Sequence, residues 1–409
     1  MDARSSARRA VKPGESDVPR VEHDGVVWRI RSLATARQVL RARDQTTQAG
    51  FTAEFIPKGF LKHHPILMSD GPLHDEQRRK VGRFLAPAVV ADRYTALMES
   101  SADALLAEAR QSATFSLDDL ALFYSVEVTA DVVGLTNSPV KKMARRLVTF
   151  FRQPPFDLTK PDLGRSGREW AAAARDGLVP IVRFYVADVR PAIRARRKEP
   201  RQDIISHLIA EGYTNADILV ECVTYGTAGM VTTREFISMA CWHLLQNRPL
   251  LDRYLVADQP ERFAILNEII RLEPVVGHLY RRAQGDIEIT DGDATWTIGK
   301  GDLIDVCVRQ ANADPDAVGE APLGLCPARP LPSGVNQAAL SFGDGAHKCP
   351  GQPLAILESD VLLTRLLRLN PRIVVEPTLG WDNLIEGYWL RGFTLALDVH
   401  ALDVQGAQP

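Results

Sequence analysis

Apolar residues along this chain recur mostly three and four positions apart, the period of helices that bury one face. That pattern predicts helices over 34–43, around 74–78, and over 94–110, 124–135, 140–151 and 170–197. It then runs unbroken from a cap at Thr214-Asn215-Ala216-Asp217 to Arg248-Pro249, about 45 Å of helix and long enough to cross the molecule. A further helix stops at Glu273-Pro274, because a residue before proline tends to leave helical space. Strand-like stretches are short: 26–30, 287–289 and 296–298, the last two joined as a hairpin by Asp291-Gly292. Segment 51–68 mixes Phe51, Phe55 and Phe60 with proline, glycine and histidine breaks and reads as a long apolar loop. The expectation is one mainly α domain, 21–409, with a small antiparallel β-rich region. The polar, Arg-rich segment 1–20 is expected to be a flexible, solvated tail.

Composition narrows the class. The chain is 45% hydrophobic and 24% charged, enough apolar material for a large core. Lys+Arg 49 against Asp+Glu 51 leaves a net charge of -2, so no global basic field points to nucleic acid. No apolar run approaches the roughly 20 residues of a membrane span, and no secretory signal is present. Cys222, Cys241, Cys307, Cys326 and Cys349 form no CxxC pair, which implies reduced thiols and a cytoplasmic protein.

One cysteine stands apart. Phe342-Gly343-Asp344-Gly345-Ala346-His347-Lys348-Cys349-Pro350-Gly351 surrounds a thiol with glycines, and a helical pattern follows it. Gly343 and Gly345 permit positive φ and close approach to something flat. Pro350 suits a first helical position, which would set Cys349 at a helix N-terminus where the dipole and free N–H groups favour a thiolate. Such a thiolate is a soft metal ligand whose backbone donors tune it. The alternative is a buried, inert cysteine beside a glycine-rich turn.

The stretch resembles the haem-binding signature of the cytochrome P-450 family, Phe-x-x-Gly-x-His-x-Cys-x-Gly, filled here by Phe342, Gly345, His347, Cys349 and Gly351. The resemblance implies a P-450 fold with haem b between the long central helix and the cysteine helix, Cys349 being the axial ligand. Four more motifs agree in order. His74 and Arg78 share a helix face and, by resemblance, hold haem propionates; Arg281 stands where relatives place another such arginine, with neighbouring Arg282 as its competitor. Glu268, Arg271 and Arg329 match the family's cluster that locks the chain before the haem loop, although Glu76 and Arg79 repeat the spacing.

In the central helix Gly226 and Gly229 weaken the helix and suggest a flat ligand against it. Ala228, Gly229 and Thr232 match the family's oxygen-binding motif, but Val231 replaces its acid. Thr232 can still donate a hydrogen bond; a valine cannot relay protons. The resemblance therefore implies a monooxygenase that inserts one atom of O2, drawing electrons from a separate ferredoxin or flavodoxin and, through its reductase, NAD(P)H. Missing the acid also suits a second reading, oxidative coupling, ring closure or peroxide-driven oxidation; a third is a non-catalytic, gas-sensing haem protein. Arg79, Lys80, Arg83 and Lys348 form a candidate docking patch for an acidic carrier. The substrate pocket is assigned Phe51, Phe55, Met68, Thr224, Thr227, Val231, Val276, His278 and Tyr388, which fits a mid-sized, mostly apolar secondary metabolite. For His278 a satisfied turn residue is the equal alternative, and core packing is the commoner fate of an aromatic such as Tyr388. A monomer with no nucleic-acid or membrane partner is expected.

Overall fold

Thr214 starts the central helix with a reciprocal cap: its side chain accepts from Asp217 N–H, while the Asp217 carboxylate accepts from Thr214 N–H at 2.9 Å. The helix runs Asn215–Tyr225, passes through a π turn at Gly226–Val231, and continues as Thr232–Gln246. Asn247 ends it and caps the next helix, Arg248–Val256, accepting from Leu250 N–H at 3.2 Å. The computed structural model describes residues 7–12, 14–15, 18–50, 61–151, 157–382 and 386–397.

Around this axis pack the helices Thr95–Ala109, Leu117–Val133, Val140–Val148, Gln259–Leu272 and Gln352–Leu367. Their apolar faces meet in one large core that includes Tyr94, Met98, Phe236 and Leu362. Leu117–Val133 begins seven residues before the apolar period suggests, because Ser116 caps it on Asp119 N–H and Asp118 and Asp119 favour its first turn. The expected helix over 170–197 begins at Gly167, behind a Ser166/Glu169 capping box, and carries its own π turn at Tyr185–Val189.

A smaller core lies under a five-stranded sheet ordered Val21–His23, Val27–Ile30, Leu303–Cys307, His278–Ala283, Thr46–Gln48. The β-region is antiparallel as expected except at one pair, Val27–Ile30 with Leu303–Cys307, which runs parallel. The predicted hairpin is Ile287–Asp291 with Ala294–Ile298, turning at Gly292 (φ 58). No helix among the described residues is long and apolar enough to cross a membrane.

The N-terminal segment corrects its expectation. Arg8 donates to the carbonyls of Leu272 (2.7 Å) and Arg309 (2.8 Å), and Ala10 is fully buried. The backbone N–H groups of Arg9 and Ala10 serve the buried Glu273 carboxylate, and Arg309 reaches back to Glu15 and the Ala10 carbonyl. A carboxylate buried at a helix end needs donors, and residues 7–12 supply them rather than dissolving. Burial and neighbouring Arg309 push Arg8 down to about 10.

Candidate functional site

The cysteine loop is fixed by its own backbone. Cys349 N–H donates to the Phe342 carbonyl at 2.7 Å, and Gly343 N–H to Leu340 at 2.8 Å. Gly343 (φ 70) and Gly345 (φ 68) take the left-handed conformation the sequence anticipates. At Gly345 a Cβ would also fall 2.1 Å from the Leu40 carbonyl oxygen, so no side chain fits. Asp344 ties the loop to the helix Leu33–Arg41, accepting from Arg37 Nε (2.9 Å) and Arg41 Nη2 (3.2 Å).

The helix after the cysteine starts later than expected. Gly351 is its N-cap and Pro353, not Pro350, takes the first turn. The N–H groups of Gly351 and Gln352 still point at the sulfur and, with Arg78 and Lys348, lower its pKa, but burial outweighs them and leaves the thiol raised. The helix end alone does not offset burial at this sulfur. Cys349 is nevertheless exposed.

Behind the loop the expected locking cluster is assembled. Glu268 accepts from Arg271 Nε (2.6 Å) and Nη2 (2.8 Å), from Arg329 Nε (3.2 Å) and from Cys326 N–H (2.9 Å). Arg271 and Arg329 also donate together to the Gly324 carbonyl. Glu76 and Arg79 lie on the helix Gly71–Gly82 and take no part in it.

His74, Arg281 and His347 line a cleft with Leu40, Thr46 and Asp70. The rings of His74 and His347 stand 4.1 Å apart, and His347 Nε2 lies 3.1 Å from Asp70 Oδ1. Arg281 faces inward and donates to Gln48 Oε1 (2.6 Å), whereas Arg282 turns out to the Gly301 carbonyl, as strand alternation requires. Burial pushes Arg281 down to about 10, and burial with the charges of His347 and Arg78 pushes His74 down to about 4. Arg78 donates to the Lys348 carbonyl and lies within electrostatic range of both Cys349 and Tyr225. The cleft brings Arg43, His74, Arg281 and His347 together with Asp70, which His347 holds below its usual pKa against burial, while Asp75 pairs with Arg43 and lies 3.7 Å from His74. The excess of cation-capable groups fits a dianionic edge such as two propionates. Asp70 itself was not anticipated.

On the central helix Ala228 is exposed and Thr232 half-buried, although both lie mid-way along its path through the core. Thr232 Oγ1 bonds to the Ala228 carbonyl. The glycines do not face a flat ligand: a Cβ on Gly226 would stand 2.9 Å from Leu147 Cδ2, and one on Gly229 3.2 Å from Thr129. They admit neighbouring helices, and the opening falls at Ala228. Val231 is buried rather than pocket-lining, while Thr224 and Thr227 bond to the Val220 and Val223 carbonyls and stay half-buried. Behind the helix, burial raises Glu358 well above the carboxylate range, and it bonds to Thr233.

Other pocket assignments divide. Met68 and Val276 are half-buried. Tyr388 is fully buried with its hydroxyl on the Glu273 carbonyl (3.4 Å), so it belongs to the core; Leu390 on the same strand and Phe393 just beyond it are buried with it. His278 is held by Asp305 (2.7 Å), and that carboxylate and Glu386 raise its pKa against burial. Phe51 and Phe55 lie outside the described residues. In the basic patch Arg79 and Arg83 are exposed, but Lys80 is paired with both Glu76 and Glu211.

The sequence profile of the cytochrome P450 family matches residues 263–369, from the locking helix through the cysteine helix. Among full-length relatives, "Cytochrome P450 130" of Mycobacterium tuberculosis is 29% identical, over 83% of this chain and 82% of that protein. "Erythromycin C-12 hydroxylase" of Saccharopolyspora erythraea is 27% identical, over 86% and 83%. The crystal structure of the cytochrome P450 CYP109B1 from Bacillus subtilis superposes with a TM-score of 0.73 over 93% of this chain and 96% of that one, at 23% identity, a likeness of fold. The cysteine loop and the locking cluster both lie within the stretch that the cytochrome P450 profile matches, and the chain is similar in fold to a cytochrome P450 structure.

Proposed function

We propose that this enzyme is a haem-thiolate monooxygenase acting on a mid-sized, mostly apolar metabolite. The observation that carries it is the signature cysteine: Cys349 is exposed on a loop that its own backbone bonds hold in place, and a cleft with cationic groups lies at His74, Arg281 and His347. When bound, haem b would supply an iron held by a cysteine thiolate, which activates O2 for attack on a C–H bond.

The chain's own residues do the rest. Cys349 ligates, and the N–H groups of Gly351 and Gln352 temper the charge on its sulfur. Phe342, Gly343, Gly345 and Gly351 shape the loop that carries Cys349. His74, Arg78, Arg281 and His347 take the two propionates. Ala228 leaves room at the centre, Gly229 lets the neighbouring helix approach at Thr129, and Thr232 holds a proton at Oγ1. The two half-buried threonines, Thr224 and Thr227, spend their hydroxyls on the helix, so they present methyl groups and favour an apolar substrate. Similarity to a protein named as an erythromycin hydroxylase supports a secondary metabolite of that size. Arg79 and Arg83, which are exposed, suit with Lys348 an acidic one-electron carrier of ferredoxin or flavodoxin type.

Turnover under isotopically labelled O2 tests the reaction. Insertion places one labelled atom in the product. Coupling or ring closure, the alternative that Val231 motivates, places none.

A further inference from the structure

Inserting one oxygen atom of O2 and reducing the other to water consumes two electrons and two protons. The electrons come from the one-electron carrier of the proposed function, on which this inference rests. The protons need a path, and Val231, beside Thr232, is apolar and buried.

The central helix offers a different one. Asp217, Glu221, Tyr225, Ala228 and Thr232 follow at spacings of four, four, three and four, which lays them along one face from the capped end to Thr232. At the outer end His63, partly open to solvent, places Nδ1 3.1 Å from Asp217 Oδ2. Glu221 is 3% exposed; one oxygen accepts from Ile66 N–H at 2.9 Å and the other has no protein partner among the described residues. The Tyr225 hydroxyl and, on the helix Gly71–Gly82, Gln77 Oε1 are in the same condition. Gln77 Nε2 donates to the Tyr213 hydroxyl (3.3 Å), and Tyr213, Glu221 and Arg78 each lie within electrostatic range of Tyr225. Buried polar groups left dry cost about 1–3 kcal/mol each, and protein interiors answer them with ordered water. Burial also pushes Glu221 up to about 8, which keeps it a neutral acid with a proton to pass at neutral pH.

We propose that Gln77, Glu221 and Tyr225 hold a short file of water that carries protons from His63 and Asp217 along the central helix to Thr232. Four residues of helix rise about 6 Å, too far for direct transfer and right for one water between successive groups. The last gap, from Tyr225 to Thr232, is spanned by the π turn Gly226–Val231, where the regular backbone bonding is interrupted. Protons alone move. Each one entering at His63 matches one leaving near Thr232, and Glu221 and Tyr225 end as they began.

The test uses the haem-loaded enzyme with Glu221→Gln, Glu221→Leu, Glu221→Asp and Tyr225→Phe. Infrared difference spectra in H2O and D2O should show a protonated-carboxyl band that shifts with deuterium and is missing from Glu221→Gln. Product formation in Glu221→Gln and Glu221→Leu should fall roughly 10²-fold, the lower end for a proton-transferring side chain, with a larger solvent isotope effect. Substrate affinity and the reduced carbon monoxide spectrum should stay as they were, and Glu221→Asp should restore part of the rate. A missing band in the parent enzyme, or a full rate with unchanged isotope effect in Glu221→Gln, overturns the proposal. A parent enzyme that yields no oxygenated product defeats the proposed function instead, and the infrared band still decides whether Glu221 stores a proton.

Discussion

Behind Cys349 the carboxylate that organises the chain, Glu268, is fully paired, whereas the central helix leaves Glu221 and Tyr225 with bare oxygens. On the cysteine side, ion pairs, backbone bonds and two left-handed glycines allow one geometry. On the other side a π turn, two packing glycines and polar atoms without protein partners leave room for small adjustment. The difference teaches that ligand placement and reaction control are handled by separate walls: one sets where the sulfur is, the other what reaches it. A rigid loop needs every group satisfied; a path for protons needs some that are not.

The largest expected effect breaks the rigid wall. Glu268→Ala strands Arg271, which is fully buried, and should cost about 3–5 kcal/mol in urea unfolding. A loss below about 1 kcal/mol would mean the cluster locks nothing. The next tests the softer wall. Gly226→Ala drives a Cβ against Leu147 and should cost about 1–3 kcal/mol, less once Leu147→Ala makes room. Simple additivity in the double variant would show that crowding is not the cause.

The smallest effect is electrostatic and concerns the cationic cleft. His74 titrates at about 4 in the fold, below its ordinary value of 6.5, so the unfolded chain takes up its proton first as pH falls. Its contribution is intact above pH 6.5 and is lost between there and about 4, with a slope of at most about 1.4 kcal/mol per pH unit. Unfolding curves across that window should flatten in His74→Gln. An unchanged slope would place the acid sensitivity elsewhere.

How much of this was legible in the chain also differs between the walls. The cysteine loop is local: Gly343, Gly345 and the Cys349 spacing sit within one short stretch, and the glycines' φ values follow from residue type. The Glu268–Arg271 pair is one helical turn, and Arg329 follows from the resemblance. The cap at Thr214 and the end at Glu273 are equally local signals. What failed depended on partners distant in sequence. Gly226 and Gly229 were read against a flat ligand because Leu147 and Thr129 arrive from other helices. Tyr388 was read into the pocket because nothing local shows that its hydroxyl finds Glu273. Arg8 looked like a tail residue because the carbonyls it meets lie at Leu272 and Arg309. The face shared by Asp217, Glu221 and Tyr225 was visible as a four-residue spacing and went unread beside the stronger motif at Ala228–Thr232.

The central claim is that Cys349 carries the iron of a haem seated between these two walls. It is met most directly by loading the protein and its Cys349→Ser variant with haem, reducing both, and recording the carbon monoxide difference spectrum. The account predicts the thiolate-type band in the parent protein and its complete loss in Cys349→Ser, with the fold retained. A thiolate-type band that survives in Cys349→Ser would contradict it.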